Sequence, residues 1–476
     1  MRENNKIELE QLKEIYRNCD AFMICSTQNQ VVNYIPIMNM IDTKKNEKSN
    51  EVSIYNMTYS YPQKSNGKDK KLGRFHNNEW DENLNTILYN NELIKKCEKL
   101  NIKKENEILL NIELKRNYNE KSYKDKITGE IEDKKNIVWN MTGGQRSILL
   151  TVLKIIQESP KEQHHTVIYM EGNTNRLIVG DYNEKTVGDY TGKIVEYKEL
   201  NGIYECKDLT IELVFQLAGF SVSKINDENR IRFGEGDKEE KKIKEEIKIL
   251  WEYYSGTKFG INLRENLLRV QSESKENKEY KLENAWKQLY EEIEKSKEEN
   301  KIKEYADKLE KRGKDNNRLG YWLEEFLFYR LYEVIKDFEK EWKKNNRLNL
   351  QNYFLEMGHS IKLNGEDGKF SEFDVVLLTK SGQLIIFECK SGAIVSDTAK
   401  ARIYTSYAVA GVYGTPILIP PYLIQDEDRL KNNDNSVWKK MQKTKSAAER
   451  AQMDIWLLDD KSLQKEIKSL YDDVLS

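Results

Sequence analysis

The stretch Ser371–Ser391, SEFDVVLLTKSGQLIIFECKS, limits what this chain can become more than any other. Two apolar, β-branched runs, Phe373–Leu378 and Leu384–Phe387, flank a turn signal at Lys380-Ser381-Gly382, a pattern that predicts a β-hairpin. Three charged residues, Asp374, Glu388 and Lys390, sit where the neighbouring residues demand burial. A three-residue loop with Gly382 in the left-handed position pairs Thr379 with Gln383, and counting back sets Asp374 opposite Glu388. Cross-strand Cβ atoms lie about 4.5–5.5 Å apart, so two carboxylates would share one face and repel unless a divalent cation lies between them. Lys390 projects beside Glu388, while Cys389 points the other way. Oxygen ligands next to an ammonium suit Mg2+ or Mn2+ bound beside a phosphate, the lysine orienting or deprotonating the attacking water. The plainer alternative is an edge strand carrying a salt-bridged Glu and Lys.

At 476 residues the chain is too long for one ordinary core, so two or three domains are expected. Lys+Arg total 78 against Asp+Glu 80, a formal charge of −2, which argues against coating nucleic acid with a broad basic face but leaves room for a local cleft. The five cysteines form no CxxC pair and read as reduced, buried thiols. The opening MRENNKIELE lacks an apolar run of signal-peptide length, and no stretch approaches ~18 apolar residues, so a soluble, cytoplasmic protein without membrane partners is expected.

In chain order, a helix over residues 7–18 precedes the compact run Ala21–Cys25, a buried strand that ends in Ser26-Thr27-Gln28-Asn29 and gives way to a helical pattern interrupted by Pro36. A second strand is expected over 51–60, a loop over 62–79, a helix over 82–100 and a third strand over 107–113. Residues 115–135, nearly all charged or polar, read as an exposed connection. Asn136-Ile-Val-Trp-Asn140-Met-Thr142-Gly143-Gly144-Gln145-Arg146 repeats the strand, loop, helix arrangement. In an open α/β sheet, two such loops converge where the strand order reverses. Backbone N–H groups at a helix start, glycines that permit close approach and the Arg146 charge together suit a phosphate. A tight, Thr-capped turn would use the same residues. Beyond the TVIYM and RLIVG hairpin, residues 209–222 read as a connector. Residues 225–248 and 271–315 read as solvated Lys/Glu helices.

Asp374 followed after a strand-turn-strand interval by Glu388-x-Lys390 resembles the PD-(D/E)xK nuclease motif, with Phe373 in place of the usual Pro. The loops Ser26–Asn29 and Asn140-x-Thr142-Gly143-Gly144 resemble those of the CARF domain, the Rossmann-like sensor of cyclic oligoadenylate in type III CRISPR defence, although Gln145-Arg146 stand where Thr-Lys is usual. Gly320-x-x-x-Glu324 opens a strongly amphipathic helix and matches an additional acidic position of this nuclease fold. Glu324 lies near the border of the apolar stripe, and Glu325 almost opposite its centre. The resemblance implies an α/β chain with a CARF domain over 1–180, a connector and charged helical region over 181–315, and a restriction-endonuclease-like domain over 316–476.

It also implies a homodimer. Catalysis would fall to Glu324, Asp374, Glu388 and Lys390, with Mg2+ or Mn2+ on Asp374 and Glu388. Ser26, Thr27, Gln28, Asn29, Asn140, Thr142, Gly143, Gly144, Gln145 and Arg146 would bind the activator, a cyclic tetra-adenylate or alternatively a hexa-adenylate. The substrate would be DNA, single- or double-stranded, or RNA, with Lys400 or Arg402 on a phosphate. Two other readings remain: a ligand-independent restriction or repair endonuclease, and a non-catalytic nucleotide-sensing regulator.

Overall fold

The computed structural model describes the chain between residues 6 and 475, apart from segments 46–49, 61–76, 103–106, 116–117, 172–175, 188–189, 202–203, 224–228, 234–244, 270–283, 289, 293–302, 304–317, 345–352, 366–367, 391–395, 412–413 and 434. The chain divides into two compact units: Met1–Ser221 with Lys380–Gly382, and Val222–Thr379 with Gln383–Ser476. Residues 62–76 of the expected loop and nearly all of the charged segment 271–315 fall outside the described residues, while residues 77–79 of that loop are helical.

The first unit is a Rossmann-like α/β layer. Its strands are β1 (Lys6–Ile7), β2 (Ala21–Cys25), β3 (Ser53–Ser60), β4 (Leu109–Lys115), β5 (Asn136–Asn140), β6 (His164–Glu171), β7 (Arg176–Val187) and β8 (Tyr190–Leu200). They line up in the order β1-β8-β7-β6-β5-β2-β3-β4. From β4 across to β6 the pairing is parallel, and β6, β7 and β8 form an antiparallel meander. The all-apolar run AFMIC is buried along its whole length, as a strand covered on both faces must be. After β2 the chain builds β3 and β4 to one side, then returns to add β5 and β6 on the other. The strand order therefore reverses between β2 and β5, and the two loops singled out from sequence leave those two strands.

Helices α1 (Leu9–Asn18), α2 (Val31–Lys44), α3 (Asn77–Asn90), α4 (Glu92–Lys95), α5 (Glu120–Ile131), α6 (Arg146–Glu158) and α7 (Ile211–Leu217) complete this unit. Helix α5 corrects the reading of 115–135 as an exposed connection. Tyr123, Ile127 and Ile131, spaced four apart among charged residues, are fully buried in the core with Trp139, Val152 and Ile156. One apolar residue per turn carried the helix where overall polarity suggested none.

The second unit surrounds a mixed sheet ordered β10-β11-β12-β13-β14-β15, with β9 (Ser221–Val222) also pairing β11. Its strands are β10 (Arg230–Arg232), β11 (Phe354–Gly365), β12 (Gly368–Thr379), β13 (Leu384–Cys389), β14 (Thr415–Ile419) and β15 (Asp454–Ile455). The β12–β13 hairpin has the expected register: Thr379 N–H donates to Gln383 O, Gly382 has φ +83°, and Val375 faces Phe387. Strand β14 then pairs parallel to β13. Helices α8 (Glu245–Gly256), α9 (Lys258–Arg269), α10 (Arg318–Lys344), α11 (Ser396–Ala410), α12 (Ile424–Asn433), α13 (Asn435–Arg450) and α14 (Asp460–Leu475) pack around the sheet. Helix α10, the β12–β13 hairpin, α11 and β14 follow one another as the sequence led us to expect. Strand β11 was not foreseen.

The structure sets a stability expectation for α5. Ile127→Ala should cost about 2–5 kcal/mol in urea unfolding, whereas Lys121→Ala, an exposed change on the same helix, should stay within about 0.5 kcal/mol. Equal effects of the two substitutions would contradict the packing described.

Candidate functional site

Burial of the hairpin end carries the chemistry. Leu384–Cys389 are all buried, and Glu388, 3 % exposed, lies among them. The β12–β13 ladder stops at Val375 and Phe387, one pair before Asp374 and Glu388. There Asp374 replaces the ladder bond with its side chain: Oδ2 accepts from the Cys389 N–H at 2.7 Å. Glu388 Oε1 takes both Lys390 Nζ and, at 2.9 Å, Arg402 Nε from α11. Glu324 on α10 is buried within electrostatic reach of Asp374, Lys390 and Glu388. The structure thus brings Glu324, Asp374, Glu388 and Lys390 together. Arg402, considered from sequence as a phosphate contact, pairs with Glu388, and Lys400 is exposed.

Glu325 departs from its sequence reading. It is 2 % exposed, because α10 contacts α8, α14 and three strands of the sheet and so has no single solvent face. Glu324 is the one linked electrostatically to Asp374, Lys390 and Glu388.

The protonation of the site follows from crowding. Dense surroundings and then the Glu388 carboxylate push Asp374 up to about 7, against the opposing pull of Lys390 and the Cys389 N–H. Burial, and next the Asp374 charge, raise Glu324 well above the usual carboxylate range. Burial disfavours the Lys390 charge, yet the Glu388 and Asp374 carboxylates outweigh it and leave the ammonium more basic than usual.

A hard divalent cation fits this donor set, since the contacts above use one oxygen of each carboxylate and leave Asp374 Oδ1 and Glu388 Oε2 outside them. The donor set is limited to that pair: among the described residues no group of three or more His, Cys, Asp or Glu side chains is arranged to hold a metal.

In the first unit, the two loops at the strand-order reversal touch each other. A Cβ on Gly143 would lie 2.7 Å from Thr27 Cγ2, and one on Gly144, whose φ is +98°, 2.3 Å from Cys25 Cβ. The glycines are therefore required by the approach of the opposite loop, whatever else approaches them. Gln145 and Arg146 are exposed at the start of α6, and Asn29 Oδ1 accepts from the Val31 N–H at the start of α2.

Beneath these loops lies a directed chain of hydrogen bonds. The Met170 N–H donates to Thr142 Oγ1, whose hydroxyl donates to Asn140 Oδ1. Asn140 Nδ2 donates to Asn33 Oδ1, Asn33 Nδ2 to Gln30 Oε1, and Gln30 Nε2 to Asp81 Oδ1, with every separation between 2.7 and 3.0 Å. Backbone carbonyls fix the sense of the amides. Asn140 Nδ2 also donates to Val32 O, and Asn33 Nδ2 to Cys25 O. Val32 O is free for this because Pro36, four residues on, has no N–H to give it. Asn140 and Thr142, expected to bind ligand, thus spend their polar atoms bracing the loops, and the accessible edge belongs to the half-buried Thr27, Gln28 and Asn29 and the exposed Gln145 and Arg146.

Gln30, Asn33 and Asp81 were missed. Asn33 left a legible trace, an amide inside the otherwise apolar VVNYIPIM.

No protein-family model matches the chain, and no curated protein matches it significantly. Two solved structures share its fold over nearly the full length. The Vibrio cholerae protein VC1899 superposes with a TM-score of 0.50 at 12% identity, covering 96% of this chain and 98% of that one. Can2 from Sulfobacillus thermosulfidooxidans, solved in complex with cyclic tetra-adenylate, superposes at 0.51 with 12% identity, covering 98% and 100%. Among the described residues no helix is long and apolar enough to cross a membrane.

Asp374 gives a pH expectation. Its folded pKa, about 7, exceeds the unfolded value near 4, so the folded state binds more protons between them and stability falls as pH rises across that window. In EDTA, Tm should decline from pH 4 to 7, and Asp374→Asn should flatten the decline. Added Mn2+ should raise Tm more at pH 8 than at pH 6, because protons compete for the same oxygens. A Mn2+ response independent of pH would count against metal binding at Asp374.

Proposed function

We propose that this chain is a metal-dependent nuclease activated by a cyclic oligoadenylate, acting in type III CRISPR defence as a homodimer. The observation that carries the reading is the convergence of Asp374, Glu388, Lys390 and Glu324 at the buried end of one hairpin, since a structural salt bridge needs only the Glu and the Lys. The first unit supplies the sensor, with a pair of touching loops at the strand-order reversal. Its support is the position of those loops, the resemblance of their residues to the CARF pattern, and the fold shared with a protein solved bound to cyclic tetra-adenylate.

In this reading Asp374 and Glu388 would hold a divalent cation, which would supply Lewis-acid polarisation of a phosphate and a more acidic water. Lys390 keeps its proton, directs the attacking water by hydrogen bonding and balances charge on the phosphate. Arg402 orients Glu388 from α11. Glu324, its carboxyl raised well above the usual carboxylate range first by burial and then by the Asp374 charge, adds an acidic group beside the reacting ones. The half-buried Thr27, Gln28 and Asn29 and the exposed Gln145 and Arg146 contact the ring of the activator, whose negative charge meets the start of α6. The ligand acts by preferring the nuclease-competent state of the dimer.

The test incubates the protein with cyclic tetra- or hexa-adenylate, Mg2+ or Mn2+, and labelled single-stranded DNA, double-stranded DNA and RNA side by side. Cleavage should require both ring and metal, with the tetra-adenylate favoured. Glu388→Gln and Lys390→Ala should each lower the rate at least ~100-fold while leaving ring affinity unchanged. Cleavage indifferent to the ring would favour a ligand-independent endonuclease. Ring binding without cleavage of any substrate would favour a non-catalytic regulator.

A further inference from the structure

The hydrogen-bond chain ends on a carboxylate that meets no opposite charge among the described residues. Asp81, 5 % exposed, receives Gln30 at Oδ1 and forms no ion pair among the described residues. Around it stand Ser26, Asn56 and Thr58, themselves 7 %, 0 % and 5 % exposed. Their placement follows from the sheet. The Ser26 N–H donates to Met57 O, setting Ser26 against β3, and Asn56 and Thr58 flank Met57 and project from the same face of that strand. Asn56 Nδ2 is committed to Asn111 Oδ1 at 3.0 Å, which leaves its carbonyl oxygen as the remaining polar atom.

Among the described residues, four buried oxygens in this group lack a partner in full hydrogen-bond geometry: Ser26 Oγ, Asn56 Oδ1, Thr58 Oγ1 and Asp81 Oδ2. Two of them can only accept. Ser26, Asn56 and Thr58 stand close enough to the Asp81 carboxyl to favour its charge, yet neither hydroxyl reaches full hydrogen-bond geometry with it. Leaving such groups unpaired is costly, most of all for the charged one. A species that only donates resolves all four at once.

We propose that Asp81 Oδ2, Asn56 Oδ1, Ser26 Oγ and Thr58 Oγ1 form a binding site for a monovalent cation, Na+ or K+, under the loop that follows β2. All four donors are hard oxygens, which selects alkali or alkaline-earth ions over softer metals. One carboxylate supplies one negative charge, so a monovalent ion leaves the buried site neutral while a divalent one would leave it charged. The ion would tie Ser26, the first residue of the loop, to β3 and α3. The inference is independent of the sensor assignment.

The experiment measures Tm of the full chain in EDTA, which removes divalent ions from the hairpin site, with equal chloride concentrations of Na+, K+ or the bulky N-methylglucammonium. The small cations should raise Tm by at least ~3 °C, saturably. Asp81→Asn, isosteric and uncharged, should abolish the difference. Ser26→Ala should shift the half-saturating concentration upward. As a direct readout, crystals soaked in Rb+ should show an anomalous peak between the four oxygens. Identical Tm in the three salts, a cation response that survives Asp81→Asn, or a site where the two hydroxyls bond the acceptors without an ion would each overturn the proposal.

Discussion

Two carboxylates placed close together in dense protein are the constraint the second unit is built around. Asp374, midway along β12, and Glu388, near the end of β13, meet where the apolar ladder between the two strands stops, and they can remain there only because their surroundings answer each charge. A backbone N–H answers Asp374, and an ammonium and a guanidinium answer Glu388. The sheet order supplies both: β13 carries Glu388 and ends one residue before Lys390, while the parallel crossover to β14 lays α11, with Arg402, over them. Such pairs rarely add stability by themselves, because desolvation consumes what attraction returns. Their presence in a core is better explained by what they can bind.

The first unit meets a comparable demand with neutral groups. The loops after β2 and β5 approach so closely that side chains are excluded at 143 and 144, and the polar atoms trapped below them must be satisfied internally. Three amides in series do so. Pro36 belongs to the same solution, since the carbonyl it leaves unpaired in α2 becomes the acceptor for Asn140.

Much of this was legible in the sequence. The hairpin register followed from the turn at Gly382 and the two-residue alternation, and the strand-loop-helix repeats placed the two loops at the reversal of strand order. What failed did so for physical reasons. Helix α5 was hidden because Tyr123, Ile127 and Ile131 are three residues in a charged segment, too few to alter its overall polarity but enough to fill a core. Glu325 was misplaced because a helical wheel assumes one buried face, and α10 is covered on several. Asp81 gave no signal, since its meaning depends on Ser26, Gln30, Asn56 and Thr58, which only tertiary folding assembles. Asn140 and Thr142 were recognised as important, but their polar atoms turned inward.

The series from Met170 to Asp81 has a polarity. Each member gives a proton to the next and takes one from the last, so neighbouring dipoles reinforce one another. Turning over a single amide in the line would set donor against donor on one side and acceptor against acceptor on the other, and the fault would have to travel to an end of the row before it could be relieved. Two loops that share no covalent neighbourhood therefore share one orientational state, and an event at the carboxylate end can be felt by the threonine at the far end without any backbone atom having to move.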